Sequence, residues 1–283
     1  MKILILTDLE GVSGINGKSA GLGCKIVNEA SAIQELADEV NACCEGLLEG
    51  GADDIVVVDG HGSSSNLAIS QLHPKAKLMQ LGGMNPVCYV DHSYDAMIQI
   101  GAHSMVSSLS HLCHTFCSNS VVRMELNGKE IGEIGIAARI GGYFGVPTLL
   151  VSGDEAACRE ARNELGKHVL TVPTKQAWGR YTAVNYPLEQ VYRDLRNQAK
   201  KALSLLEDIP LPKAAPHYKL TLRLMSHDQI FGLIKTGGRP VDNETVEFES
   251  DDFIDVYAQR CGWAKGVHNR YYGISPEWIF PGV

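Results

Sequence analysis

Residues 2–11 read KILILTDLEG and combine an apolar segment with two acids. The unbroken apolar run over residues 3–6 is typical of a strand buried on both faces, as in a parallel sheet. The run ends in two acids, Asp8 and Glu10, and Gly11 then breaks the chain. A signal peptide would need a longer apolar run and a small-residue cleavage site. We therefore expect a first strand that carries carboxylates at its carboxyl end.

The next segments predict a parallel sheet. Residues 29–48 place apolar side chains at helical spacing, and Gly50 follows, so a helix is predicted there. Residues 55–58 read IVVV and predict a second buried strand. Strand, helix and strand in this order indicate a βαβ unit with a right-handed crossover.

The same alternation continues to about residue 170. Further strands are predicted at residues 77–81, 96–101, 121–126 and 148–151, with helices at 132–143 and 155–165. Beyond these lie a predicted helix at 188–206, a proline-rich linker, strands at 218–225 and 244–249, and a helix at 251–261. We predict an α/β fold with an open, largely parallel sheet and helices on both faces, plus a smaller C-terminal α+β part. The predicted boundary separates residues 1–180 from residues 181–283.

Composition excludes several classes of protein. Of the 283 residues, 45% are apolar and 20% are charged, which is ordinary for a soluble globular chain. A net charge of -8 argues against a general nucleic-acid binder, and no segment approaches the roughly 20 apolar residues of a membrane helix. The eight cysteines contain no CxxC pair. Reduced thiols are the simplest account, so we expect a cytoplasmic protein.

Acids and histidines follow three of the predicted strands. Asp8 and Glu10 follow the first strand, His61 follows the second, and His103 follows the strand at 96–101. Ligands of open α/β sheets bind beyond the carboxyl ends of the strands. Carboxylates and imidazoles suit zinc, manganese or iron. These four side chains therefore predict a metal site at one edge of the sheet.

Each of these residues alone has a more ordinary explanation. Asp8 could cap a helix, His61 could be a surface histidine, and His103 could be a hydrogen-bonded core histidine. However, Asp8 and Glu10 alternate on an extended chain and so face one side, where two carboxylates repel each other unless a cation lies between them. The prediction depends on all four residues falling at strand ends.

Three further residues stay open on these grounds. His111 and His114 could form a metal pair at i, i+3, and either one could instead transfer protons, because histidine titrates near neutral pH. Glu133 begins a predicted helix, where an acid commonly caps the helix or interacts with its dipole.

Short motifs of residues 1–180 resemble those of the zinc D-aminopeptidase family encoded in dipeptide-permease operons. Their order and spacing agree along the whole of this region. The matching segments are TDLEGVSG (7–14), VDGHG (58–62), GAH (101–103), HT (114–115), LNG (126–128), GEIG (132–135), GVP (145–147) and GD (153–154).

The resemblance implies a two-zinc site in a catalytic domain over residues 1–180. Its implied metal ligands are Asp8 as the bridging carboxylate, Glu10, His61, His103 and Glu133. It also implies that His114 is the catalytic residue. Manganese stays open as the metal, because the same ligands serve both ions.

The family's activity gives the functional expectation. Its members remove the N-terminal residue of short peptides built from D-amino acids, and they assemble as self-compartmentalising rings. We therefore predict a zinc-dependent aminopeptidase that acts on short peptides and forms a ring-like homo-oligomer, with a decamer as one possible size. The alternatives are another dinuclear metallohydrolase, such as a phosphoesterase or deacetylase, and a non-catalytic binding protein on the same fold.

Overall fold

The computed structural model describes residues 1–21, 23–62, 64–81 and 89–262, which form three β-sheets and six α-helices. The strands are β1 (Lys2–Thr7), β2 (Gly17–Ala20), β3 (Gly23–Ile26), β4 (Asp54–Asp59), β5 (Ala76–Gln80), β6 (Ala96–Ala102), β7 (Val121–Leu126), β8 (Lys129–Glu130), β9 (Thr148–Asp154), β10 (Leu170–Gly179), β11 (Thr182–Asn185), β12 (Tyr218–Leu224), β13 (Arg239–Pro240) and β14 (Thr245–Ser250). The helices are α1 (Glu29–Glu49), α2 (Glu133–Tyr143), α3 (Glu155–Leu165), α4 (Leu188–Ala202), α5 (Asp228–Ile234) and α6 (Phe253–Arg260).

The largest sheet has seven strands in the order β11-β10-β9-β6-β1-β4-β5. All its neighbours pair in parallel except the edge strand β11. β6 is the central strand and β1 lies beside it. The apolar run of β1 is buried because Ile3 and Ile5 pack towards α1 and α4 while Leu4 faces the opposite side. Helices α2 and α3 cover that opposite face. The predicted fold class is confirmed.

The second sheet is antiparallel, in the order β13-β14-β12-β7-β8. It packs with α2 and α6 through an apolar cluster that includes Leu4, Ile140 and Phe248. The sheet joins residues 121–130 to strands from beyond residue 218. The division of the chain at residue 180 stays a prediction, and its last segment, residues 263–283, lies outside the described residues.

Some elements differ from the sequence prediction. The strands β2, β3, β10 and β11 were not predicted, and the helix expected at residues 188–206 ends at Ala202 and continues as a 3-10 helix over Leu203–Asp208. Helix α4 packs closely on α1 at Gly46, where an added Cβ would lie 2.1 Å from the carbonyl oxygen of Arg196. Since α1 ends at Glu49, the chain beyond α4 loses this packing partner. None of the helices in the described part of the chain combines the length and apolar character needed to cross a bilayer.

Candidate functional site

The predicted metal ligands gather beyond the carboxyl ends of β1, β4 and β6. The chain runs from β1 to β4 on one side of the sheet centre and from β6 to β9 on the other. Two connections that leave adjacent strands in opposite directions open a crevice outside the carboxyl ends of those strands. The crevice between β1 and β6 is therefore where the topology itself places a ligand site.

Two glycines allow the segments after β1 and β6 to approach closely. The backbone N–H of Asp8 donates to the carbonyl of Ile100 at 2.8 Å, and that of Gly11 donates to the carbonyl of Gly101 at 2.8 Å. A Cβ on Gly11 would lie 2.0 Å from the carbonyl oxygen of Ala102, and Gly101 has a φ of +76°, which L side chains rarely adopt. The glycines thus fix the spacing between the two ligand-bearing segments.

The five predicted ligands face one another across this crevice. Nδ1 of His61 lies 3.1 Å from Oδ1 of Asp8 and 3.0 Å from Oε2 of Glu10. Nε2 of His103 lies 3.4 Å from Oδ2 of Asp8 and 3.2 Å from Oε1 of Glu133. The two oxygens of Asp8 therefore face two different histidines, which is the arrangement that a bridging carboxylate requires.

The donor set fits divalent cations. Ligand atoms of Asp8, Glu10 and His103 lie within 4.8 Å of one another, and so do those of His103, His114 and Glu133. Oε2 of Glu10 is buried and accepts no hydrogen bond from a described residue, although the His61 nitrogen lies near it. A buried carboxylate oxygen without a donor is costly unless a cation satisfies it. Carboxylate oxygens with imidazole nitrogens are a usual donor set for zinc or manganese.

The charges in the site explain how its histidines titrate. Burial lowers the pKa of His61, but the neighbouring carboxylates of Asp8 and Glu10 outweigh burial and raise it to about 11. Burial of His103 is likewise outweighed by Glu133 and Asp8, which raise its pKa well above the usual value. Burial raises the pKa of Asp8, but the charge of His103 and the hydrogen bond from His61 more than reverse this and lower it. The carboxylates thus attract positive charge, which protons or metal ions can supply.

The backbone sets the tautomers of two histidines. Nδ1 of His103 lies 3.0 Å from the carbonyl of Ser104, and Nδ1 of His114 lies 2.8 Å from the carbonyl of Leu112. Because a carbonyl can only accept, each Nδ1 must carry the hydrogen. Nε2 of each ring is then left with a lone pair, which can bind a metal or accept a proton.

Of the two candidate histidines, the structure brings His114 to the site. Its ring stacks on that of His103 with centroids 3.9 Å apart and an interplanar angle of 17°. Burial and the charge of His103 lower the pKa of His114, so its ring is neutral at pH 7. His111 is also buried, and burial followed by the charge of Lys175 lowers its pKa to about 4. His111 belongs to neither group of candidate ligands and, unlike His61, it forms no ion pair with a described carboxylate.

Glu133 is the first residue of α2, directly after the N-cap residue Gly132. Its Oε1 accepts the backbone N–H of Phe116, a residue outside the helix, at 2.5 Å. Leu112 and Phe116 in this loop have φ values of 50° and 61°, a left-handed conformation that costs roughly 1–2 kcal/mol for each residue. Strain of this kind persists where the surroundings impose it, which is common at functional sites. The loop thus orients Glu133 towards the site.

Asp59 is the last residue of β4 and has a different role. Its carboxylate accepts the backbone N–H groups of Asn66 and Leu67 at 2.6 and 2.9 Å, and the Asn66 side chain at 2.8 Å. These bonds hold the loop that carries His61, so Asp59 supports the site without facing it.

Lys175 is a supporting residue to which the sequence analysis assigned no role. It is fully buried in β10, and its Nζ donates to the carbonyls of Glu10 and Val12 at 2.6 and 2.8 Å. Burial lowers its pKa to about 8. The ammonium group holds the backbone of the segment that presents Glu10.

The site opens into a cavity of about 550 Å³, which falls in the roughly 300–1,000 Å³ range of small-ligand pockets. All six predicted site residues line it. Its other walls include Phe116, Cys117, Ser118, Asn119, Tyr257 and Arg260. The cavity therefore offers charged groups at the metal-ligand end and mixed apolar and polar walls elsewhere.

Comparison with known proteins identifies the family. The sequence profile of the D-aminopeptidase family, peptidase M55, matches residues 1–260. The chain belongs to this family. A D-aminopeptidase of Bacillus subtilis (strain 168) is 26% identical over 262 residues, which cover 91% of this chain and 94% of that protein. The family and the metallopeptidase class expected from the motifs are confirmed.

A solved structure shares the fold of this family member. The Zn-dependent D-aminopeptidase DppA from B. subtilis, described as a self-compartmentalizing protease, matches with a TM-score of 0.82. The match covers 92% of this chain and 95% of that one, at 24% sequence identity. At this identity the likeness supports the fold, and the roles of individual residues depend on the geometry given above.

Proposed function

We propose that the protein is a zinc-dependent aminopeptidase that removes the N-terminal residue of short peptides, with D-amino acids at that position. The observation that carries this proposal is the pair of histidines that face the two oxygens of Asp8, with Glu10 and Glu133 on either side. Family membership favours peptide hydrolysis over a phosphoesterase, a deacetylase or a binding role.

The proposed ligands of two zinc ions are Asp8 as a bridge, Glu10, His61, His103 and Glu133. Their three carboxylates bring three negative charges, which offset most of the charge of two dications. When bound, such a metal pair polarises the scissile carbonyl and lowers the pKa of the attacking water. Manganese is the alternative that the same donors permit.

His114 is the proposed proton carrier. Hydrolysis breaks the amide bond after the first residue, adds the hydroxyl group of water to the carbonyl carbon, and delivers a proton to the leaving nitrogen. Nε2 of His114 has a free lone pair in a neutral ring and lies beside the ligand set, so it can take up a proton and pass it to that nitrogen. Its Nδ1 bond to the carbonyl of Leu112 holds the ring in this orientation.

The proposal also covers the assembly and the location of the protein. A ring-like homo-oligomer, with a decamer as one size, is supported by the description of the B. subtilis relative as a self-compartmentalizing protease. A cytoplasmic location is supported by the cysteines, because those in the described part of the chain are free thiols.

The experiment combines metal analysis with matched substrates. We expect two zinc ions per chain in protein purified without chelator, and cleavage of peptides that begin with a D-residue in preference to their L-counterparts. His114→Ala should keep its metal and lose turnover by roughly 100-fold or more, whereas the control His111→Gln should keep both.

Other outcomes would point elsewhere. Cleavage of phosphate esters without peptide cleavage would favour a different dinuclear hydrolase. Protein that holds no metal and hydrolyses nothing would favour the binding role. Equal rates on D- and L-peptides would support the peptidase activity but refute the proposed preference for an N-terminal D-residue.

A further inference from the structure

Arg260 is the one lysine or arginine among the described residues that line the cavity. It is the last residue of α6, and its guanidinium carbon lies 3.9 Å from the centre of the Phe116 ring and 5.9 Å from that of Tyr257. Within the described part of the chain it forms no ion pair, and its hydrogen bond is to Sγ of Cys261 at 3.5 Å. The cavity thus holds a permanent cation that has no direct ion-pair partner among the described carboxylates.

The position of Arg260 relative to the metal-ligand end follows from Phe116. The backbone N–H of Phe116 donates to Oε1 of Glu133 at 2.5 Å, while its ring lies under the guanidinium. Standard bond lengths then place the guanidinium carbon no more than about 11 Å from that oxygen. An extended dipeptide spans about 7 Å. This upper limit places the guanidinium within the reach of a substrate one or two peptide bonds long.

The charges at the two ends are complementary to a small peptide. Asp8, Glu10 and Glu133 make one end acidic, and Arg260 makes the other end basic. A half-buried guanidinium is stabilised by a planar anion that accepts two parallel hydrogen bonds, and a carboxylate is such an anion. Stacking on Phe116 and Tyr257 keeps the guanidinium plane in place without using its N–H donors.

We infer that Arg260 binds the free C-terminal carboxylate of the substrate and restricts the enzyme to di- and tripeptides with an unblocked C-terminus. The inference rests on the proposed aminopeptidase function and adds a residue that limits the length of the substrate. A longer peptide would carry its carboxylate past the guanidinium, and a C-terminal amide would present no anion to it.

The test compares an acid with its amide. D-Ala-D-Ala and D-Ala-D-Ala-NH2 are hydrolysed by the zinc-loaded protein and by the variants Arg260→Met, Arg260→Lys and Arg180→Met. Arg180 is the matched control, because it lies near an aromatic ring, Tyr181, but does not line the cavity. Circular dichroism and thermal unfolding of each variant show whether it is folded.

We expect the unaltered protein to prefer the acid by roughly 10- to 100-fold in kcat/KM, mostly through KM. Arg260→Met should lose this preference by slowing cleavage of the acid while leaving cleavage of the amide nearly unchanged. Arg260→Lys should retain part of it, and Arg180→Met all of it. Binding of D-Ala-D-Ala to the catalytically inactive His114→Ala protein can be measured by calorimetry. Adding Arg260→Met to that protein should weaken binding by a similar factor.

The unfavourable outcomes are distinct. Equal rates on acid and amide in the unaltered protein would overturn the inference even if no Arg260 variant folds. An equal loss on both substrates in Arg260→Met would assign the side chain to the packing of α6 instead. Hydrolysis of neither substrate by the unaltered, metal-loaded protein would be a failure of the proposed function.

Discussion

Replacing Glu39 with glutamine should change the pH dependence of stability. Glu39 is fully buried in α1, and its Oε1 accepts the backbone N–H of Ser13 at 2.8 Å. Ser13 lies three residues after Glu10, in the segment that follows β1. Its Oε2 accepts no hydrogen bond from a described residue. Burial raises its pKa from the usual value near 4.5 to about 7, against smaller opposing effects of Ser13 and Lys175.

The sign of the effect follows from the two pKa values. Between pH 4.5 and pH 7 the folded protein keeps a proton on Glu39 that the unfolded chain has lost. Stability is therefore highest below pH 4.5 with respect to this group, falls as the pH rises, and stops falling above pH 7. The shift lowers the free energy of unfolding by about 3 kcal/mol in total. About 2–3 kcal/mol of this loss occurs between pH 5 and pH 8.5. Glutamine resembles the protonated acid and cannot ionise.

The assay is urea unfolding at pH 5 and pH 8.5, with a chelator present at both so that metal binding does not contribute. Glu39→Gln should match the unaltered protein at pH 5 and exceed its free energy of unfolding by about 2–3 kcal/mol at pH 8.5. Glu207→Gln, an exposed position, is the control and should show no such difference. The same stability change at both pH values would refute the reasoning, because it would mean that Glu39 is ionised throughout.

Three further predictions concern the segment that carries the proposed ligands. Gly11→Ala should lower the free energy of unfolding by more than about 3 kcal/mol in a thermal or urea titration, since its Cβ would lie 2.0 Å from the carbonyl oxygen of Ala102. Lys175→Met should weaken zinc affinity by roughly 10- to 100-fold in competition with a chromophoric chelator, because the carbonyls of Glu10 and Val12 lose their donor. Removal of metal should lower the melting temperature, and zinc returned at about 1,000 times its Kd should restore about 4 kcal/mol of stability.

The sequence predicts best what depends on local pattern. The apolar run of β1 and the helical spacing of α1 are visible without any tertiary information, and together they predict a parallel sheet. Once the strands are parallel, Asp8, His61 and His103 must lie at one edge, because all carboxyl ends point the same way. The structure brings these three side chains together as expected.

Spacing alone could not place Glu133 or His114. A glutamate at the start of a helix satisfies the capping explanation equally well. Only the fold shows that α2 begins beside His103 and that the Glu133 carboxylate accepts from Phe116. His114 lies in an irregular loop whose course depends on the left-handed residues Leu112 and Phe116. Neither residue has a strong sequence signal for this conformation, so the family resemblance was the evidence for both.

Arg260 and Lys175 show why residues distant in sequence are harder to predict. Lys175 reaches the site because β10 lies beside β9 in the sheet, and its charge is held by carbonyls about 165 residues earlier in the chain. Arg260 reaches it because α6 packs under the Phe116 ring. A lysine in a strand and an arginine at a helix end are ordinary surface features by sequence, and the latter even suits the helix dipole. What distinguishes them is burial without a carboxylate partner, which only the packed structure reveals. A buried cation without a carboxylate partner is costly to folding. Substitutions at these two positions therefore separate effects on folding from effects on function most directly.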